Sequence, residues 1–188
     1  MAHVKDAAQF ITELTGGVDK LKLYKLCYFA HGWHLAWSGR PLFSEPLEAW
    51  QYGPVPRALW NACSGVDRAE VVVHVPGGQS ANLSNYEKAV IESVADQYAS
   101  LHPLELSDRS HDLAWKAARG ELTDDAKCDG EMSTAAIRSE FTNKLRHNVD
   151  VPSAPPGSDD AHSAGLEPEA AAELESAWWD VFGLLSTR

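Results

Sequence analysis

A mainly α-helical fold, compact around one buried central helix, is predicted by two features of this sequence. Apolar residues recur at three- and four-residue spacing from Val4 to Leu145, and one run alone, Val71-Val72-Val73-His74-Val75, has the β-branched density of a strand. With 44% hydrophobic and 23% charged residues in 188 positions, the chain has the apolar material for a self-standing core of about 150 residues.

The first helix carries Val4, Ala7, Ala8, Ile11 and Leu14 on one stripe and ends at Gly16-Gly17, where glycine tolerates the left-handed backbone of a helix end. Asp19 offers an N-cap to a second helix over Lys20–Ser38. That helix has two apolar stripes, one through Leu23, Leu26, Ala30, Trp33 and Trp37, the other through Leu21, Tyr24, Tyr28, His31 and Leu35. Two such faces place it through the centre of the domain. Gly39-Arg40-Pro41 stops it.

An extended stretch is predicted over Leu42–Tyr52, a rigid turn at Gly53-Pro54-Val55-Pro56 and a short helix over Arg57–Cys63. The valine run is expected to pair with Leu47–Gln51 as a small two-stranded β element. Ser84 and Glu87 form a capping box before a helix whose stripe runs from Tyr86 to Leu101, closed by Pro103. Another helix is predicted over Asp108–Arg119 with Ser107 as its N-cap, and a sixth from Ser133 with Ile137, Phe141 and Leu145 on its face. Composition then changes: residues 151–165 are rich in Pro, Ser, Gly and Asp and read as a flexible linker. Residues 166–188 read as a C-terminal amphipathic helix, with Leu174, Ala177, Trp178, Val181 and Leu185 apolar and Trp179 and Phe182 widening the face. The domain proper is therefore bounded at 1–150.

A net charge of −11 disfavours direct contact with nucleic acid or anionic membranes and suits a basic protein partner, with plain solubility as the alternative. Cys27, Cys63 and Cys128 are far apart and lack zinc spacing, so reduced thiols of a cytoplasmic protein are expected. There is no signal-peptide core and no apolar run of membrane-spanning length.

Four groups of side chains could carry chemistry. His31 and His34 are three apart but lack further ligands nearby, so a buried, hydrogen-bonded His31 is preferred to a metal site. His111-Asp112 beside Ser107 and Ser110 suggests a small hydrolase, but GxSxG is absent. Glu45 and Glu48 carry no mark of acid–base work, and Lys20, Lys22 and Lys25 are read as a solvated face. No catalytic residue, metal or cofactor is expected. The seven tryptophans are more informative. Trp33, Trp37 and Trp115 suit a core, whereas Trp178-Trp179 face about 100° apart on a helix and are hard to bury without a partner surface.

The segment from Lys20 to Trp60 closely resembles the signature of the Panacea antitoxin domain family, also called SocA-like or GepA-like. The family pattern K-L-x-K-L-x-Y-x-A-x-G-W-x-L falls on Lys22, Leu23, Lys25, Leu26, Tyr28, Ala30, Gly32, Trp33 and Leu35. G-x-P-L-F falls on Gly39, Pro41, Leu42 and Phe43, and E-A-W-x-Y-G-P-V on Glu48, Ala49, Trp50, Tyr52, Gly53, Pro54 and Val55. A later segment from Leu106 through His111 to Trp115 is similar too, with Ala114 where a proline often precedes the tryptophan.

The resemblance implies a mainly helical, phage-associated module, encoded beside diverse toxins in prophages or mobile elements. It implies the antitoxin role of a type II-like system, with neutralisation of a co-encoded protein toxin by direct contact. One branch acts as a proteolytic adaptor, which adds a protease or chaperone as a partner class. Some members carry a DNA-binding domain before the module. Here the module begins close to Met1, so operator binding is not expected. Trp50, Tyr52, Arg57, Trp178, Trp179 and Phe182 are the candidate toxin contacts. Lys25, Tyr28, Trp33, Gly53, Pro54, His111 and Trp115 are the motif residues assigned to structure. For Trp50 a core role competes with the contact role and is favoured.

Overall fold

The computed structural model describes residues 2–67 and 70–156. It is mainly helical, as the periodicity predicts. In chain order come α1 (Val4–Thr15), β1 (Val18–Asp19), α2 (Lys20–Ser38), β2 (Leu47–Trp50), β3 (Gly53–Pro56), α3 (Arg57–Ala62), β4 (Val71–Val72), α4 (Asn85–Tyr98), α5 (Pro103–Ser110), α6 (Leu113–Arg119) and α7 (Thr134–His147).

Helix α2 is the axis of the domain. Every residue from Leu23 to Trp37 is buried, with α1, α4, α5, α7 and β3 packed around it. Its ends lie where the sequence puts them. Asp19 Oδ1 accepts from the Lys22 amide at 2.9 Å, and Gly39 closes the helix in the left-handed conformation at φ 69°. Helix α7 packs tightly over Gly32, where a β-carbon would sit 2.2 Å from the Phe141 ring. Phe29 stacks on Tyr98 at 4.6 Å between centroids, and Trp33 Nε1 donates to the Tyr98 hydroxyl at 3.1 Å, fixing α4 to the other side.

The strands pair differently from the sequence expectation. The residues read as a rigid turn are β3, which forms an antiparallel hairpin with β2 and sets Pro54 opposite Ala49 and Pro56 opposite Leu47. The valine run pairs instead with β1, Val18 opposite Val72. Proline looks like a turn residue because it cannot donate to a ladder, but it is allowed on an outer edge, and β3 is one. The far side of β2 is covered by residues 130–132: the Ala49 amide donates to Gly130 O at 2.9 Å and the Met132 amide to Leu47 O at 2.7 Å.

The helix read over Asp108–Arg119 is two helices. Pro103 opens α5 at its first turn, where the missing amide costs nothing, with His102 capping it. Ser107 lies inside α5 and is not a cap. The chain becomes extended at Asp112, whose carboxylate accepts from the Leu113 amide at 2.8 Å and starts α6.

Residues 150–156 run back along α4: Tyr98 and Ser93 hydroxyls donate to the carbonyls of Asp150 and Ser153, and Pro152 and Pro155 are buried. The remainder of the linker segment and the helix read over 166–188, with Trp178, Trp179 and Phe182, lie outside the described residues. Among the described residues no helix is long and apolar enough to cross a membrane.

Two substitutions test the axis. Trp33→Ala is expected to destabilise the domain by about 3–5 kcal/mol, as for a buried large aromatic. Gly32→Ala adds a single methyl against a fixed ring and should cost about 1–3 kcal/mol. Chemical denaturation of both variants measures this; a parent-like Trp33→Ala would mean that α2 is not the central helix.

Candidate functional site

The site is assembled on a polar frame inside the helical shell. Lys25, fully buried on α2, donates from Nζ to the Pro54 carbonyl at 2.9 Å. Burial holds its amine well below the ordinary lysine range. At Gly53, φ is 88°, and a β-carbon there would lie 2.2 Å from Ser110 Oγ and 2.9 Å from Lys25 Nζ. Only glycine meets both conditions. Ser107 Oγ donates to the Tyr52 carbonyl at 2.9 Å, so α5 holds the hairpin turn from its other side.

A second set of contacts fixes α6. Glu140 of α7 accepts from the Tyr28 hydroxyl at 2.9 Å and from the Ala114 amide at 2.8 Å. Burial raises the Glu140 carboxyl, and burial and then the Glu140 charge raise the Tyr28 phenol. Asp112, at the head of α6, pairs with Lys144 at 2.8 Å. Trp115 then donates from Nε1 to the Trp50 carbonyl at 2.8 Å, and Arg119 from Nη1 to the Ala49 carbonyl at 3.0 Å. The Arg119 guanidinium also lies 4.5 Å from the Trp115 ring centroid and binds the carbonyls of Thr123 and Ala126, each at 2.7 Å. One arginine thus ties the loop after α6 to the hairpin.

The outward face of the hairpin is aromatic. Glu48 and Trp50, two apart on β2, point the same way. Glu48 accepts from Trp50 Nε1 at 2.6 Å and from Arg57 Nε at 3.0 Å, and forms an ion pair with Arg57 Nη2 at 2.9 Å. Held there, the Arg57 guanidinium lies 4.9 Å from the Trp50 ring centroid and 5.5 Å from that of Trp60. The two indoles meet edge-on at 5.6 Å. Trp60 is 39% exposed and Tyr52, at the hairpin turn, 51%. Trp50 and Arg57 are therefore brought to one patch, and Tyr52 stands exposed at the adjoining hairpin turn. Trp60 completes it, and its spacing from Arg57 on α3 was the available signal: three residues apart puts both on one helical face.

The remaining candidates resolve into packing. The lysines read as a solvated face are tethered to carbonyls: Lys22 Nζ donates to Ala99 O at 2.9 Å, Lys20 Nζ to Val66 O, and Lys25 to Pro54 O. That face closes loops and helix ends. His31 lies against Phe43 at 4.3 Å, its pKa depressed to about 3 chiefly by burial, and its Nδ1 has no hydrogen-bond partner among the described residues, where one was expected. His34 binds the Arg40 carbonyl at 2.7 Å. Among the described residues no three His, Cys, Asp or Glu side chains group as metal ligands.

His111 stacks on Trp115 at 4.0 Å, and burial and then the nearby Lys25 lower its pKa. Ser110 Oγ donates to Ser107 O at 2.7 Å and Ser107 Oγ to Tyr52 O, so neither hydroxyl is bonded to the imidazole. The hydrolase constellation is not assembled. A separate cleft of about 590 Å³ lies between the end of α2, the head of α6 and α7, lined by Gly39, Pro41, Leu113, Arg138 and Arg146; among the described residues no carboxylate, histidine or cysteine lines it.

Against known proteins, residues 23–116 match the family described as antitoxin SocA-like, Panacea domain, which is half of the chain. The chain is 45% identical over 47 residues to Antitoxin SocA of Caulobacter vibrioides (strain NA1000 / CB15N). That alignment spans a quarter of each protein. No solved structure matches.

The buried lysine makes stability depend on pH in a stated direction. In the unfolded chain Lys25 stays protonated up to about pH 10.4, but in the fold it loses its proton lower. Between those two values the unfolded state binds more protons, so its contribution rises with pH. The Lys25→Met variant should therefore lose stability relative to the parent from about pH 7 to about pH 9, read as denaturant midpoints. A constant difference would mean that the amine keeps its proton.

Proposed function

Since the chain belongs to the SocA-like Panacea antitoxin family, we propose that it neutralises a co-encoded protein toxin in the cytoplasm, as the antitoxin of a type II-like system. Neutralisation proceeds by direct contact through the Trp50–Arg57–Trp60 patch and Tyr52. The observation that carries this reading is the patch itself. Tryptophan, tyrosine and arginine dominate binding hot spots, and here Arg57 is already locked between two indoles by Glu48. Its side-chain entropy is lost on folding and not again on association.

Direct contact also fits the chemistry of the frame. The serines, Lys25 and Glu140 are buried and bonded to the chain, so they hold a surface in shape. Trp178, Trp179 and Phe182 are a second proposed contact set.

Growth rescue tests the reading. The chain and the product of the adjacent reading frame are co-expressed at near-equal levels. Trp60→Ala and Arg57→Ala should each fold, bind the neighbour at least about tenfold more weakly and lose rescue. His111→Ala should rescue wherever it folds. Toxin that persists in a complex is the expected outcome; toxin that disappears in a protease-dependent way would make the chain an adaptor. Ending the chain at Pro156 should leave the fold and weaken neutralisation, and unchanged toxin affinity would remove the second contact set.

A further inference from the structure

We infer that the cleft between α2, α6 and α7 receives the chain's own acidic C-terminal segment, residues 166–185. The cleft is lined by Leu35, Pro41 and the exposed Leu113 on its apolar side, and by Arg138, Thr142 and Arg146 of α7. Those three are four apart, so they form one stripe of the helix. Arg138 reaches over the end of α2, its Nη2 3.5 Å from where a β-carbon on Gly39 would lie. Neither guanidinium has a hydrogen bond or ion pair among the described residues. The walls offer two carboxylates, and both are engaged elsewhere. Asp112 pairs with Lys144, and Glu140 is buried against the Tyr28 hydroxyl and the Ala114 amide. In a chain of 27 acids against 16 bases, two guanidiniums beside an apolar wall are left without an anion.

Two observations identify the occupant. The first is where the described chain ends. The Tyr98 and Ser93 hydroxyls bind the carbonyls of Asp150 and Ser153 in turn, so residues 150–156 travel toward the first turn of α4. There the Tyr86 ring lies 5.6 Å from that of His34, and His34 binds the Arg40 carbonyl, between the Gly39 and Pro41 that line the cleft. At Pro156 the chain therefore heads for the end of the domain that holds the cleft. Residues 157–165 reach up to about 30 Å when extended, about the width of a domain of this size.

The second is complementarity. Residues 157–188 carry seven acids against the single base Arg188. On the helix predicted over 166–188, Glu169, Glu173 and Asp180 fall on one stripe, beside the apolar one of Leu174, Ala177 and Val181. Glu173 and Asp180 are about 10.5 Å apart along such a helix, and Arg138 and Arg146 about 12 Å apart along α7. An acidic stripe next to an apolar one is the counterpart of this cleft. The tether favours the chain's own segment over a foreign one, because it presents that segment at an effective concentration of about millimolar.

The experiment is timed digestion of the full chain with chymotrypsin, which cuts after aromatic residues, with mass spectrometry reading the cuts at Trp178, Trp179 and Phe182. Cleavage of a segment that opens and closes rapidly follows its free population. In Arg138→Glu/Arg146→Glu these cuts should come about tenfold faster than in the parent at low salt, and high salt should speed the parent toward the variant. The melting temperature should change little, because both arginines are exposed and unbonded. Glu173→Arg/Asp180→Arg should also be cut fast. Adding the two arginine reversals to it should slow the cuts again about tenfold, a comparison made at one tail sequence. Should the double arginine reversal not fold, Arg138→Gln/Arg146→Gln is expected to give a smaller rise in the same rate. A folded arginine variant cut at the parent's rate overturns the inference. Protection that grows with protein concentration also overturns it, and makes the occupant the tail of a second copy. No toxin enters these measurements, so this inference and the aromatic patch stand or fall separately.

Discussion

A helix buried on every side cannot leave a polar group to solvent, and that constraint organises the rest of this domain. Helix α2 carries Lys25, Tyr28 and Trp33 into the interior, and each must find its partner there. Lys25 finds it on β3, Tyr28 on α7 and Trp33 on α4. Each polar side chain thereby specifies which neighbour lies over it and at what height. Apolar packing alone would let the surrounding helices slide, whereas three hydrogen bonds in three directions admit one arrangement.

The recurrent motif residues mostly build the shell, and the exposed patch is carried by their neighbours. Lys25, Gly53 and Pro54 set the hairpin against α2, Trp115 and Arg119 hold it from α6, and Trp50, Arg57 and Trp60 are then presented outward. A family could keep this frame and vary the exposed positions to meet different partners, because the frame's side chains reach Tyr52 and the 121–131 loop through backbone carbonyls, which a change of side chain there leaves in place. Specificity then resides in a thin outer layer over a fixed scaffold.

Much of this was legible in the sequence because it was local. The bounds of α2, its Asp19 cap, the Gly16 and Gly39 stops and the Ser84–Glu87 capping box follow from side chains acting on their own backbone. What sequence reasoning missed depends on distance along the chain. Gly-Pro-Val-Pro looked like a turn, since nothing local reveals that β2 lies beside it. Ser107 looked like a cap because its true acceptor, the Tyr52 carbonyl, is 55 residues away. The three lysines looked solvated because their carbonyl partners lie on other segments. The patch was half legible: Trp50, Tyr52 and Arg57 stand out by type, but Trp60 joins them only once the fold sets the Trp50 indole beside α3.

The placement of Pro54 and Pro56 has a consequence for how faithfully the hairpin forms. Both stand opposite residues of β2 whose own ladder groups turn toward residues 130–132, so the nitrogens of both prolines point to the outer edge of β3. That edge is buried against α2 and α5, where a free amide would have no acceptor supplied by a neighbouring strand. Proline removes the donor. Slipping the hairpin by one residue would turn both prolines inward, delete two ladder bonds and expose the Val55 amide to the apolar side. One register survives. With residues 130–132 on one side and helices on the other, this hairpin offers no open border to another chain.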